Sequence, residues 1–127
     1  RLNIRRILFE PAGVRGFVRD WARVARGLLS RLQVEALARP HDERLQALLD
    51  DILALPDIPD DWRRPDFTHT SEPTLALRLV KDELELSFLT AVTVFSSPNN
   101  ITLEELRIES YFPLDDATAK ACERLCR

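Results

Sequence analysis

Few side chains in this sequence could do chemistry, and their spacing limits what that chemistry could be. Cys122 and Cys126 stand four apart, a helical spacing that could present two thiolates to one metal ion. Structural zinc takes four ligands, and the two histidines, His41 and His69, hold no ligand spacing toward the cysteines. Buried, reduced thiols are therefore expected, with no metal and no cofactor. Glu104, Glu105 and Glu109 supply carboxylates, but on a strand Glu105 and Glu109 share one face with Arg107 between them, which reads as a solvated charge ladder rather than a general acid and base. A nucleophile elbow, a phosphate loop, a dinucleotide fingerprint and a zinc-peptidase motif are all absent from the sequence, so no catalytic residue is expected. Arg15, Arg19, Arg23 and Arg26 follow helical spacing and could grip phosphates. A solvated face fits them better, because no aromatic residue interleaves them, no recognition-helix pattern accompanies them, and the formal net charge is −3.

Positioning these residues falls to two differently patterned halves. Leu2, Ile4, Ile7, Leu8 and Phe9 suggest a short opening helix closed by Pro11 and Gly13. Phe17, Trp21, Val24, Ala25, Leu28, Leu32 and Ala36 recur at three- and four-residue steps and predict one long helix over 15–38, ended by Pro40. Asp42 and Glu43 begin a third helix with Leu45, Leu48, Leu49 and Ile52 as its apolar stripe. Residues 57–62 read as one capped helical turn that carries Trp62 inward. From Leu75 the period changes to two. Leu75, Leu77 and Leu79 alternate, as do Leu84, Leu86 and Phe88, so residues 74–95 predict a hairpin. Its turn at Lys81-Asp82-Glu83 lacks glycine, and a loop wider than a tight type I′ turn is expected. Residues 102–112 form a third strand, and Asp115 caps a final helix of about ten residues.

At 127 residues, 45% apolar and 31% charged, the chain fits one soluble domain spanning 1–127, with a helical part at 1–64 and a sheet with a C-terminal helix at 65–127. The predicted class is α+β, an antiparallel sheet with the N-terminal helices packed on one face. Charge is divided unevenly. Residues 1–39 carry nine arginines against Glu10, Asp20 and Glu35, whereas residues 40–127 carry eighteen acidic against nine basic side chains. The halves can attract each other. No apolar run suits a bilayer span or a secretory signal, and two cysteines cannot make a disulfide framework, which fits a cytoplasmic location without membrane contact. A chain that opens on Arg1 and holds no methionine reads as part of a longer polypeptide.

Several segments resemble one family. Trp62-Arg63-Arg64-Pro65-Asp66, Leu77-Arg78-Leu79, Leu86-Ser87-Phe88, the stretch from Thr102 to Glu109, and Tyr111-Phe112-Pro113 are similar to the MmyB-like ligand-binding domain of bacterial regulators. Asn3-Ile4-Arg5-Arg6-Ile7-Leu8-Phe9 and Asp20-Trp21 are similar to signals at the start of that domain. The resemblance implies a PAS-like fold, a helix-turn-helix of the XRE type upstream through which DNA is bound, and an apolar small-molecule effector such as a fatty acid.

Under that resemblance the ligand pocket is expected between the sheet and the helices that carry Trp21 and Trp62. Leu86, Phe88, Val92, Leu106, Ile108 and Phe112 are assigned by strand parity to one inner face, interrupted by the hydroxyls of Thr90 and Ser110. These hydroxyls either orient the polar end of an apolar ligand or bond to neighbouring backbone. Arg78, Glu85 and Ser87 are expected on the outer face. There Leu89, Ala91 and Phe95 spoil the polar alternation and are candidates for a homodimer interface. The leading expectation is thus an effector-sensing, dimerising domain. A dimerisation scaffold without ligand is second, and a small enzyme assembled from side chains distant in sequence is third.

Overall fold

A computed structural model describes residues 4–68, 75–94 and 107–126 of the chain. The chain divides into two compact units, Arg1–Ser71 and Glu72–Arg127, a few residues beyond the expected division after residue 64.

The first unit is helical. Helix α1 spans Ile4–Phe9 and stops where Pro11 would have to continue it. Its end folds back on itself, with Glu10 N–H donating to Arg6 O and Val14 N–H donating to Ile7 O. Gly13 sits in that fold because there is no room for a side chain. A Cβ there would land on the Ile7 carbonyl oxygen, with the carbonyl carbon at 2.9 Å. The single helix predicted over 15–38 is two pieces, a 3₁₀ turn at Arg15–Phe17 and helix α2 at Trp21–Ala38. Asp20 separates them at φ 54°, ψ 47°, a left-handed conformation that a short polar side chain tolerates better than most. The break shifts the helical phase. Phe17, predicted inside, is 41% exposed, and Val18 is buried in its place. Within α2 the buried face is Val24, Ala25, Leu29, Leu32, Gln33 and Ala36, so of the adjacent pair Leu29 rather than Leu28 is fully buried.

Helix α3 spans Glu43–Leu53 and buries Leu45 and Ile52 as its stripe predicts. The Asp42 carboxylate accepts from Leu45 N–H at 3.1 Å, the capping expected of it. Gln46 on α3 donates at 3.0 Å to Ala36 O in the last turn of α2, and to the carbonyl of the capping Arg39, which also accepts from Asp42 N–H. A second 3₁₀ turn at Asp60–Arg63 buries Trp62. It follows Pro59 and has no side-chain cap, contrary to the capped turn expected there.

The second unit holds strand β1 at Leu75–Lys81, β2 at Leu84–Val94 and β3 at Arg107–Pro113, in the order β1-β2-β3 with both pairs antiparallel. Lys81 pairs directly with Leu84, so the hairpin turn is the tight two-residue Asp82-Glu83 and not the wider loop expected. Asp82 takes φ 54°, which supplies the left-handed residue without glycine. Helix α4, Asp116–Leu125, follows with the ten residues predicted. Asp115 caps it, accepting from Thr118 N–H at 2.7 Å. That bond, joined by one from the Thr118 hydroxyl, holds the Asp115 carboxyl below its ordinary range.

Thr118 is fully buried and ties α4 to the sheet. On the β3 side of β2, Ser87 O accepts from Leu114 N–H, just past the end of β3. The neighbouring Ser87 N–H therefore has no strand partner, and Thr118 Oγ1 accepts it at 3.0 Å. Ser87, expected outside, is buried for this reason. With helices at the N-terminus, an open three-stranded antiparallel sheet and a short C-terminal helix, the described residues form the α+β class predicted.

Candidate functional site

Strand register decides which candidate residues can act together. Leu77 lies opposite Phe88 and Leu79 opposite Leu86, so these four share a face as predicted, with Arg78, Glu85 and Ser87 on the other. Across β2 and β3, Thr90 pairs with Tyr111, and Ala91 pairs with Ser110. Thr90 and Ser110 therefore lie on opposite faces, which corrects the common face assigned to them. Ile108 and Phe112 likewise leave the face of Leu86, Phe88 and Val92 and join Leu89 and Ala91. A slip of one residue in strand pairing turns every side chain over to the other face.

The first face thus carries Phe88, Thr90, Val92, Glu109 and Tyr111. The Tyr111 ring meets Phe88 edge-on, with centroids 6.1 Å apart. Partial desolvation of a side chain that stays 38% exposed, followed by the charge and hydrogen bond of Glu109, pushes the Tyr111 phenol up to about 12. Glu109 is therefore a partner of Tyr111 rather than one rung of a bare charge ladder. The Thr90 hydroxyl donates to Leu75 O at 3.1 Å, which is the backbone alternative weighed for it. The second face carries Leu89, Ala91 and Ser110, half-buried, beside Ile108 and Phe112, which are 45% and 54% exposed. Val92 and Thr93 are exposed as well, so the cover expected over the far end of β2 does not come from the described residues of this chain. Phe95 and Leu106 lie outside the described residues, as do Glu104, Glu105 and His69.

Trp21 and Trp62 are brought together in the helical unit, with ring centroids 5.9 Å apart and a 34° tilt. Phe9 meets Trp21 edge-on at 6.2 Å, and the Trp21 indole Nε1–H donates to Leu8 O at 2.8 Å. Over the Trp21 ring, 3.8 Å from its centroid, lies the guanidinium of Arg15, which is ion-paired with Asp57. The arginine series is thus more than a solvated face. Arg23 pairs with Asp20 at 3.0 Å, and Arg26 reaches Asp61 at 3.4 Å and Asp66 at 3.6 Å. Asp57, Asp61 and Asp66 come from the acidic part of the chain, so the uneven charge seen in the sequence is matched within the helical unit. Each of these three cations, Arg15, Arg23 and Arg26, is engaged by a carboxylate.

Arg15, Gln33, Tyr111 and Thr118 take roles that sequence spacing did not assign to them. Gln33 is buried and donates to Trp62 O at 2.8 Å, fixing the turn that holds the second tryptophan. A signal for it existed, since position 33 falls on the stripe of Leu29 and Ala36. Arg15 and Thr118 had none, because their partners are far away in sequence. Neither cysteine is buried as expected. Cys122 is half-buried and Cys126 exposed, and both are free. Among the described residues no cluster of His, Cys, Asp or Glu could hold a metal ion, and no helix is long and apolar enough to cross a membrane.

The described residues therefore present hydrogen-bonded polar groups on an aliphatic and aromatic framework. Such surfaces bind by shape and burial, with a few polar contacts for orientation. No curated protein and no solved structure matches the chain. One family model does, over residues 1–125, and it describes the MmyB-like transcription regulator ligand binding domain.

Proposed function

Since this chain belongs to the family of MmyB-like transcription regulator ligand-binding domains, we propose that it is the effector-sensing domain of a DNA-binding regulator and that its effector is an apolar small molecule such as a medium-chain fatty acid. The family is one of regulator ligand-binding domains and not of enzymes. In this reading the effector acts by population shift, binding one arrangement of a homodimer better than another and so changing the spacing of two helix-turn-helix heads that bind DNA. Sensing takes place in the cytoplasm, without a cofactor.

Family membership carries the reading, and the sheet supports it. Phe88 with Tyr111 and Leu89 with Phe112 give each face an aromatic and aliphatic surface interrupted by few polar groups. Phe88, Thr90 and Tyr111 are the proposed contacts on one face. Ser110 and Phe112 are proposed contacts on the other, beside Leu89 and Ala91, which we assign with Phe95 to the dimer interface. Trp21 and Trp62 are the proposed contacts of the helical unit.

Native mass spectrometry of protein purified without denaturation, together with melting curves in a series of medium-chain fatty acids, tests this. Co-purifying apolar ligand, or a rise in Tm with dodecanoic acid that Phe88→Ala reduces, is the expected result. If no apolar compound co-purifies or raises Tm, the sensor reading fails and a ligand-free dimerisation scaffold replaces it.

A further inference from the structure

The two ends of the helical unit meet on one side chain. From the leading end, α1 reaches Trp21 twice, through the Leu8 carbonyl that accepts its indole N–H at 2.8 Å and through the fully buried Phe9, edge-on at 6.2 Å. From the trailing end, the Asp60–Arg63 turn places Trp62 against the same indole at 5.9 Å. Arg15, stacked on the indole and ion-paired with Asp57, joins the connecting segments to it. Asp20, in its left-handed conformation, starts α2 abruptly at Trp21, so the indole projects from the first residue of the helix.

We infer that Trp21 couples these two ends, so that the position of the Asp60–Arg63 turn sets the position of α1. The physical reason lies in the kinds of contact that Trp21 makes. A hydrogen bond has a direction and ring pairs have preferred angles, so an indole that rotates to follow Trp62 must strain or lose its bond to Leu8. Dense packing leaves no slack in which one partner moves alone. In sequence the chain runs from the Trp62 turn toward the second unit, and α1 is the helix nearest the start of the chain. On the sensor reading, the coupling would link the segment of chain that leads into the second unit to the first helix of the helical unit. That regulatory meaning rests on the sensor reading above, whereas the coupling itself belongs to the helical unit alone.

Amide hydrogen exchange on this chain tests it, since spatial proximity alone does not establish coupling. Trp62→Phe perturbs the trailing end while keeping an aromatic ring and the carbonyl that Gln33 holds. The Glu10 and Val14 amides, bonded to Arg6 and Ile7, report on α1. We expect them to lose about tenfold in protection beyond any loss in α3, while Ile52→Val, a control in α3, lowers protection in α1 and α3 alike. Arg15→Gln, which leaves the buried core intact, should loosen α1 in the same direction and serves if Trp62→Phe does not fold. Unchanged ratios of α1 to α3 protection in the folded variants overturn the inference. The sensor reading fails separately: if α1 loosens as expected but no apolar compound raises Tm, the coupling stands without it.

Discussion

Replacing Gly13 with alanine adds a single methyl group and should be among the most damaging small changes available to this chain. The new Cβ would meet the Ile7 carbonyl, a backbone group that cannot swing aside as a flexible side chain can. Relief requires the fold-back after α1 to open, which breaks the bonds from Val14 N–H to Ile7 O and from Gly13 N–H to Glu10 O. Each is worth about 0.5–1.5 kcal/mol net. Opening also uncovers part of Leu8 and Phe9, now 8% and 0% exposed, and a side chain of that size contributes about 1.5–3 kcal/mol when fully buried. Allowing partial exposure, and a small gain from a stiffer unfolded chain, the net loss is about 2–3 kcal/mol. Gly27 is the internal control. It lies within α2 with nothing within 4 Å of an added Cβ, so Gly27→Ala should stabilise by about 0.5–1 kcal/mol. Urea denaturation followed by helical circular dichroism measures both. A Gly13→Ala loss below about 0.5 kcal/mol, or glycine variants that shift in the same direction, would refute the steric argument.

Thr118→Val keeps the shape of a fully buried side chain but removes the acceptor of the Ser87 amide, so it should cost about 1–3 kcal/mol, read from Tm and from faster exchange of that amide. Tyr111 is the single tyrosine of the chain, so tyrosinate absorbance titrates it alone. Its folded pKa of about 12 lies above the unfolded 10.0, so the neutral phenol stabilises the fold below pH 10.0, and this contribution is lost as pH rises from there through about 12. Ionisation centred at 10.0 in the folded protein would contradict the pairing of Tyr111 with Glu109. Phe95→Glu and Ile108→Glu should each shift a dimer toward monomer in sedimentation velocity, whereas unchanged sedimentation of a dimeric wild type would remove this face from the interface.

Local rules make much of the architecture legible in the sequence. Asp42 and Asp115 start their helices because a short carboxylate followed by free amides is a complete local interaction. Leucines at alternate positions on both sides of Asp82-Glu83 fix the hairpin and the shared face of Leu77, Leu79, Leu86 and Phe88 for the same reason, a period of two within one short segment. Where the sequence misleads, the deciding partner is far away or the backbone takes an uncommon conformation. The left-handed Asp20 splits a helix whose apolar spacing looks continuous, and Asp82 closes a tight turn without glycine. Spacing cannot report either conformation, because it counts residues and not torsions.

Tertiary structure alone decides which polar groups face which partners. Strand parity allows Thr90 and Ser110 a common face, but β3 meets β2 in a register that places them back to back, and register depends on where two strands dock rather than on either pattern. Arg15 belongs to a row of like residues until folding lays it on Trp21 beside Asp57, 42 positions later. Gln33 and Thr118 are ordinary polar residues until a carbonyl and an amide near them lose access to water and have to be satisfied. Periodicity records the apolar faces an element must bury, a property of nearby residues. The partners of a buried polar group are chosen only when distant backbone arrives, and one chain carries no local trace of that choice.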